Sequence, residues 1–230
     1  MCKEKGLLSL FPKYARFPLL FMVVFNCAAY ILPSRLFATE VVRYDLTTAL
    51  DMMLPCVPFF VLFYVLAYGQ WVGGYVLHCR DSVQLCYRLV VTNVITKAIC
   101  LVCYVLIPTT IQRPEITGSG LFAWGTRVVY AIDDPVNLLP SIHCLESWIA
   151  FRGAMMLKKK NGWYIAGQGI MTLLVFASVV LIKQHFIIDI PISILVCELA
   201  LFLAGRCGLW RVFNKIQTPS AKAWLKENAG

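Results

Sequence analysis

Six runs of mostly apolar residues, each close to the length of a membrane-crossing helix, limit this chain more than any other feature. They fall at 17–37, 53–77, 89–110, 139–157, 162–182 and 186–206. A helix needs about 20 apolar residues to cross a hydrocarbon layer roughly 30 Å thick. Only 14% of the residues are charged and 60% are hydrophobic, against about a quarter and about a half in soluble domains. Lipid is therefore the expected solvent for most of the chain. A disordered chain, a nucleic-acid-binding domain and a disulfide-knit secreted protein are excluded on the same ground. The expected fold is all-α, a six-transmembrane-helix bundle spanning 17–206, with a cytoplasmic segment at 1–16 and a cytoplasmic tail at 207–230.

The first run follows Lys3, Lys5, Lys13 and Arg16, which looks like the start of a signal peptide. It is long, lacks a small-residue cleavage site and is followed by five more, so it reads as a retained span. Pro55, Pro58, Gly69, Gly73, Gly74, Gly167 and Gly169 are tolerated within membrane helices and favour close packing. Basic residues set the expected orientation. With the N-terminus inside, the inner segments hold Lys3, Lys5, Lys13, Arg16, Arg80, Arg88, Arg152, Lys158, Lys159, Lys160, Arg206, Arg211, Lys215, Lys222 and Lys226. The outer ones hold only Arg35, Arg43, Arg113, Arg127 and Lys183. That roughly threefold asymmetry puts both termini in the cytoplasm and accounts for the net charge of +9 without nucleic acid. The Cys100-x-x-Cys103 pair lies in an apolar run with no second pair, so the ten cysteines read as free thiols.

In so apolar a chain the ionisable residues at membrane depth carry the information. Three groups stand out: Gln112-Arg113-Pro114-Glu115 after the third run, Pro140-Ser141-Ile142-His143 opening the fourth, and Ser178 to Asp189 across the fifth and sixth. All fall at the same, outward ends of their expected helices. His185 and Asp189 are four apart, so on one helix a carboxylate reaches an imidazole nitrogen and leaves the other free as nucleophile or base. Pro140 suits a helix first turn, whose N–H groups favour an anion. Arg113 offers a planar fork suited to phosphate oxygens. Together these residues describe a phosphate-handling site that requires neither a metal nor an organic cofactor. Taken singly, each has a duller account: His185 and Asp189 as a helix-stabilising pair, His143 and His78 as interfacial residues, Arg113 and Lys183 as snorkelling anchors. Lys97, Glu146 and Glu198 lie within spans, where buried pairs or a channel lining are both open readings.

The three groups resemble the signature blocks of the type 2 phosphatidic acid phosphatase superfamily, which also resembles vanadium haloperoxidases and inositol phosphorylceramide synthases. Arg113-Pro114 match the end of the first block, Pro140, Ser141 and His143 the second, and Ser178, His185 and Asp189 the third. Their order and their placement along a six-span layout also agree. Leu106 replaces the first-block lysine, Ile142 the second-block glycine and Val179 the third-block arginine. Lys183 is the substitute for the last, four residues on and expected on the same helical face. The resemblance implies an extracytoplasmic site and transfer of a phosphoryl group through a phosphohistidine. In that scheme His185 attacks phosphorus and Asp189 holds it. His143 serves the leaving and entering oxygens, and Arg113, Ser141 and Lys183 bind the equatorial ones. The implied activity is hydrolysis of a lipid phosphate monoester or a polyprenyl pyrophosphate in the cell membrane. Phosphotransfer to an alcohol, as in the inositol phosphorylceramide synthase-like branch, and a non-catalytic relative are the alternatives. Residues 118–137 are expected to rest on the outer surface as a lid, with Asn137 orienting it. The partners expected are the substrate and membrane lipids; the oligomeric state is open.

Overall fold

The computed structural model describes residues 7–36, 42–216, 219 and 222. Lys3, Lys5, Lys226, Cys2, Phe37 and most of the tail lie outside the described residues. Helices α1 (Lys13–Leu36), α3 (Val61–Asp81), α4 (Val83–Leu106), α6 (Ile142–Met155), α7 (Gly162–Leu181) and α8 (Asp189–Arg206) make the bundle; α2 (Ala49–Met53), α5 (Leu121–Ile132) and α9 (Val212–Lys215) are short additions outside it. Among the described residues there is no strand, only two isolated bridges, Tyr44 with Thr109 and Thr110 with Val136.

Local chemistry moves several helix ends away from the apolar runs. Pro55 and Pro58 keep the residues before Val61 out of the α-helix, because proline lacks the N–H and restricts the residue before it. Ser82 breaks α3 from α4 and accepts a hydrogen bond from the Leu85 N–H. Asn161 caps α7 by accepting from the Trp163 and Tyr164 N–H groups. Such caps satisfy donors that the first helical turn leaves unpaired.

Four helices (α1, α3, α4 and α7) are long and apolar enough to cross a membrane, and a fifth follows if α8 is counted with the Leu209–Lys215 segment bent 63° from it. The fourth expected span differs most. Helix α6 has 14 residues, which is about 21 Å of helix. It occupies the centre of the bundle, touching α3, α4, α7 and α8. Residues from all its faces are buried, from His143 and Cys144 to Ile149 and Ala154, the pattern of a helix enclosed by neighbours.

Close approach at α6 depends on glycine. His78 is 1% exposed, inside the bundle rather than at its surface. A β-carbon on Gly153 would lie 2.3 Å from its Cε1. Gly153→Ala is therefore expected to lower stability by about 1–3 kcal/mol through overpacking. Thermal unfolding in detergent reads this, and adding His78→Ala restores part of the loss.

Lys97, Glu146 and Glu198, the charges read within spans, are paired. Lys97 Nζ meets Glu146 Oε1 at 2.5 Å, the two side chains 1% and 5% exposed. Asn93 Nδ2 donates to the same oxygen and to the Tyr75 hydroxyl. Arg152 lies 3.0 Å from Glu198, which also accepts from the Trp148 indole. Both carboxylates thus belong to buried or half-buried pairs. The nine described cysteines are free thiols, five of them buried.

Candidate active site

The turn between α7 and α8 builds the centre of the site. Helix α7 ends where Lys183 takes φ +53°, the Gln184 N–H donates to the Val179 carbonyl and the Lys183 N–H to the Val180 carbonyl. This is the Schellman stop, with Lys183 in the left-handed position usually held by glycine. The expectation that Lys183 shares a helical face with Val179 therefore fails, because the helix has already ended. His185 also lies in the turn, not on a helix with Asp189, which is the first residue of α8. The turn nevertheless delivers the contact: His185 Nδ1 is 2.9 Å from Asp189 Oδ2. The same oxygen accepts the Phe186 N–H at 3.1 Å, which fixes the carboxylate in the turn.

Arg113 comes from the segment after α4. Its Nη1 donates to the Asp133 carbonyl at 2.7 Å and its Nη2 to Gln184 Oε1. Its plane lies over the Tyr130 ring, 4.7 Å from the centroid. Burial pulls its pKa below the ordinary arginine value, with Asp133 pulling the other way; the guanidinium remains a cation. Among the described residues the buried Arg113 Nε and Gln184 Nε2 have no hydrogen-bond partner. Unpaired buried donors of this kind are costly.

Lys183 reaches across to the segment after α1 and donates to the carbonyls of Asp51 and Leu54, each at 2.7 Å. Asp51 answers from the other side. Its carboxylate accepts from the Ile187 N–H at 2.7 Å and from both the N–H and hydroxyl of Thr48, so residues 45–54 are latched to the turn between α7 and α8. Burial disfavours the charged carboxylate, but the hydrogen bonds from Thr48 and Ile187 and the Lys183 ammonium together hold its pKa below the usual carboxylate value. A carboxyl depressed in the folded state stabilises it above the unfolded pKa and ceases to as pH falls through the folded one. Acidification below the usual aspartate range should therefore release the latch. A lower protection factor at Ile187, corrected for intrinsic exchange at each pH, is the readout, and Asp51→Asn should show it already at neutral pH.

A cleft of about 430 Å3 opens here, lined by Thr47, Asp51, Leu54, Arg113, Lys183 and His185 among others. The second histidine stands behind it. His143, in the first turn of α6, is 7% exposed, and its ring centroid is 6.5 Å from that of His185. Its ring stacks on Tyr64 at 3.9 Å, and the edges of Tyr68 and Trp71 approach at 5.5 and 5.0 Å.

Ser141 departs from the role expected of it. It is wholly buried, its hydroxyl caps α6 by accepting from the Cys144 N–H, and its N–H and carbonyl both engage Ser193. It orients α6 and does not line the cleft. Asn137 takes φ +58° and donates to the Ser34 hydroxyl at 2.7 Å. Helix α5, within the expected lid, packs against the Pro58–Phe60 turn and α3 and exposes Leu121, Trp124 and Ile132 on its other side.

Arg113, Lys183 and His185 thus share one cleft, with Asp189 and His143 directly behind. Gln184, from the Ser178–Asp189 group, joins them, as do Asp51, Asp133 and Tyr64, which the sequence did not single out. The Thr48-x-x-Asp51 spacing of a capping box was a readable local signal; the others had none. Among the described residues no cluster of metal-ligating side chains occurs. Compared with protein families, with characterised proteins and with solved structures, the chain finds no match.

Proposed function

We propose that the protein is an integral-membrane lipid phosphatase that hydrolyses a phosphate monoester or pyrophosphate through a phosphohistidine. One observation carries this reading: an imidazole keyed by a buried carboxylate faces a cleft walled by Arg113 and Lys183, with a second imidazole 6.5 Å behind it. The arrangement supplies each part of metal-free phosphoryl transfer. His185 uses Nδ1 to hold Asp189, which leaves Nε2 to attack phosphorus. Arg113 and the turn's donors meet oxygens whose charge must be stabilised. His143 gives a proton to the departing oxygen and takes one from the incoming water.

On this reading the chain crosses the cell membrane six times, with α6 and α8 the two shorter crossings and both termini cytoplasmic. The cleft then opens on the extracytoplasmic side, and the exposed apolar face of α5 rests in the outer leaflet near its mouth. Phosphatidate, phosphatidylglycerophosphate and polyprenyl pyrophosphate all suit such a cleft.

The test is to trap the intermediate. Purified protein in detergent is incubated with dioctanoyl phosphatidate or farnesyl pyrophosphate carrying a 32P-labelled terminal phosphate, then quenched and assayed for protein-bound label stable to base and labile to acid. Release of that label to water supports the hydrolase. Transfer to added diacylglycerol or ceramide assigns the phosphotransferase instead. Neither label nor phosphate release with both probes rejects the proposal.

A further inference from the structure

A proton donor facing a leaving group must be held still, and burial among aromatic rings leaves His143 Nε2 without a hydrogen-bond partner among the described residues. What holds it is a stacked ring. Tyr64 is 2% exposed and lies nearly parallel to the imidazole, the planes 22° apart and the centroids 3.9 Å apart. Tyr64 is fixed in turn, because its hydroxyl donates to Asp133 Oδ2 at 2.7 Å. The other oxygen of Asp133 accepts from the Tyr30 hydroxyl at 2.6 Å, and its backbone carbonyl receives Arg113.

Asp133 therefore joins four things at the end of α5: α1 through Tyr30, α3 through Tyr64, the phosphate-facing guanidinium, and the stack on His143. A carboxylate accepting a phenol hydrogen bond makes the ring more electron-rich, and the negative face of such a ring attracts a cation. Chains of hydrogen bonds polarise one another in this sense. Both effects hold the imidazole in one orientation.

Resting on the function proposed above, we infer that Asp133 is a positioning residue that acts through Tyr64 to hold His143 as proton donor to an alkoxide leaving group. As the bond from His185 Nε2 to phosphorus forms, the bond from phosphorus to the alkyl oxygen breaks, and that oxygen takes the His143 proton. In the second half-reaction water returns a proton to His143 while its oxygen displaces His185 from phosphorus. An alkoxide is a poor leaving group and depends on this proton; a nitrophenolate departs without it. The clamp thus fits a phosphate monoester of an alkyl alcohol as substrate.

Dioctanoyl phosphatidate and p-nitrophenyl phosphate distinguish the two cases in the full-length protein. Asp133→Asn and Tyr64→Phe should each lower kcat for the alkyl ester, with KM little changed. The ratio of alkyl to aryl turnover should fall by about tenfold or more. Tyr64→Phe retains the stacked ring and decides the matter if Asp133→Asn fails to fold. Equal losses on both probes, or no loss, would overturn the inference while leaving the proposed function standing. A wild-type protein inert on both probes, without phosphoenzyme, would remove the function and the inference together.

Discussion

On the proposed function, replacing His185 by alanine should abolish both the acid-labile phosphoenzyme and turnover, with an expected loss of about 10^4-fold or more in kcat. Lys183 is turned onto the Asp51 and Leu54 carbonyls, and the His143 ring lies 6.5 Å behind that of His185, so neither takes the place of the proposed nucleophile. His143→Ala has a different signature. It leaves the proposed nucleophile and the Arg113 wall intact, so turnover of alkyl esters should fall by about 10^2- to 10^4-fold while p-nitrophenyl phosphate should still label the protein. Ser141→Ala acts on stability, since its hydroxyl caps α6; a cap of this kind contributes about 1 kcal/mol. Quench-labelling and kcat measured on variants with unchanged melting behaviour separate these outcomes. Label retained in His185→Ala would reject the nucleophile assignment.

The second large effect concerns stability and does not depend on any enzymatic role. Lys97→Met or Glu146→Gln leaves an uncompensated charge in the middle of the bundle, at a cost of about 3–5 kcal/mol. The cost is high because the pair is almost wholly buried and because Asn93 donates to the same carboxylate oxygen. The double variant with Lys97→Met and Glu146→Leu removes both charges and should recover most of the loss. Thermal unfolding in detergent across this cycle measures the coupling. Additive losses in the double variant would show that the two side chains act independently.

The helical class was legible because apolar run length is a local property, and the hydrogen bonds that membrane depth requires are local too. The polar groups that cluster were legible for a related reason: an ionisable residue in an apolar run has few places to go. The separation of His185 and Asp189 also led to the right contact by the wrong route. A helical face was expected, and a Schellman turn brings them together instead. A four-residue separation allows both, so spacing alone does not distinguish them.

Partnerships over long separations were not legible. Asp133 meets Tyr30 across 103 positions and Tyr64 across 69; Gln184 meets Arg113 across 71. Nothing in the composition around Asp133 differs from Asp134 beside it, and only the path of the chain after α5 selects one of them. Lys183 was read as a phosphate-binding cation, and its ammonium goes to backbone carbonyls whose positions depend on where α2 ends. The length of α6 was hidden as well, because the apolar run takes in the Leu139–Pro140 approach to the helix and continues past its end at Met155.

Thus the sequence by itself determined that the chain is helical, that lipid suits most of its surface, and which few polar side chains are out of place in that solvent. Periodicity, run length and capping act within a turn or two, so they can be read in order along the chain. The tertiary structure alone decided which of those side chains share a cleft, which are turned inward as paired charges, and which tyrosine stacks on His143. Those choices depend on crossing angles and loop paths that no local stretch encodes.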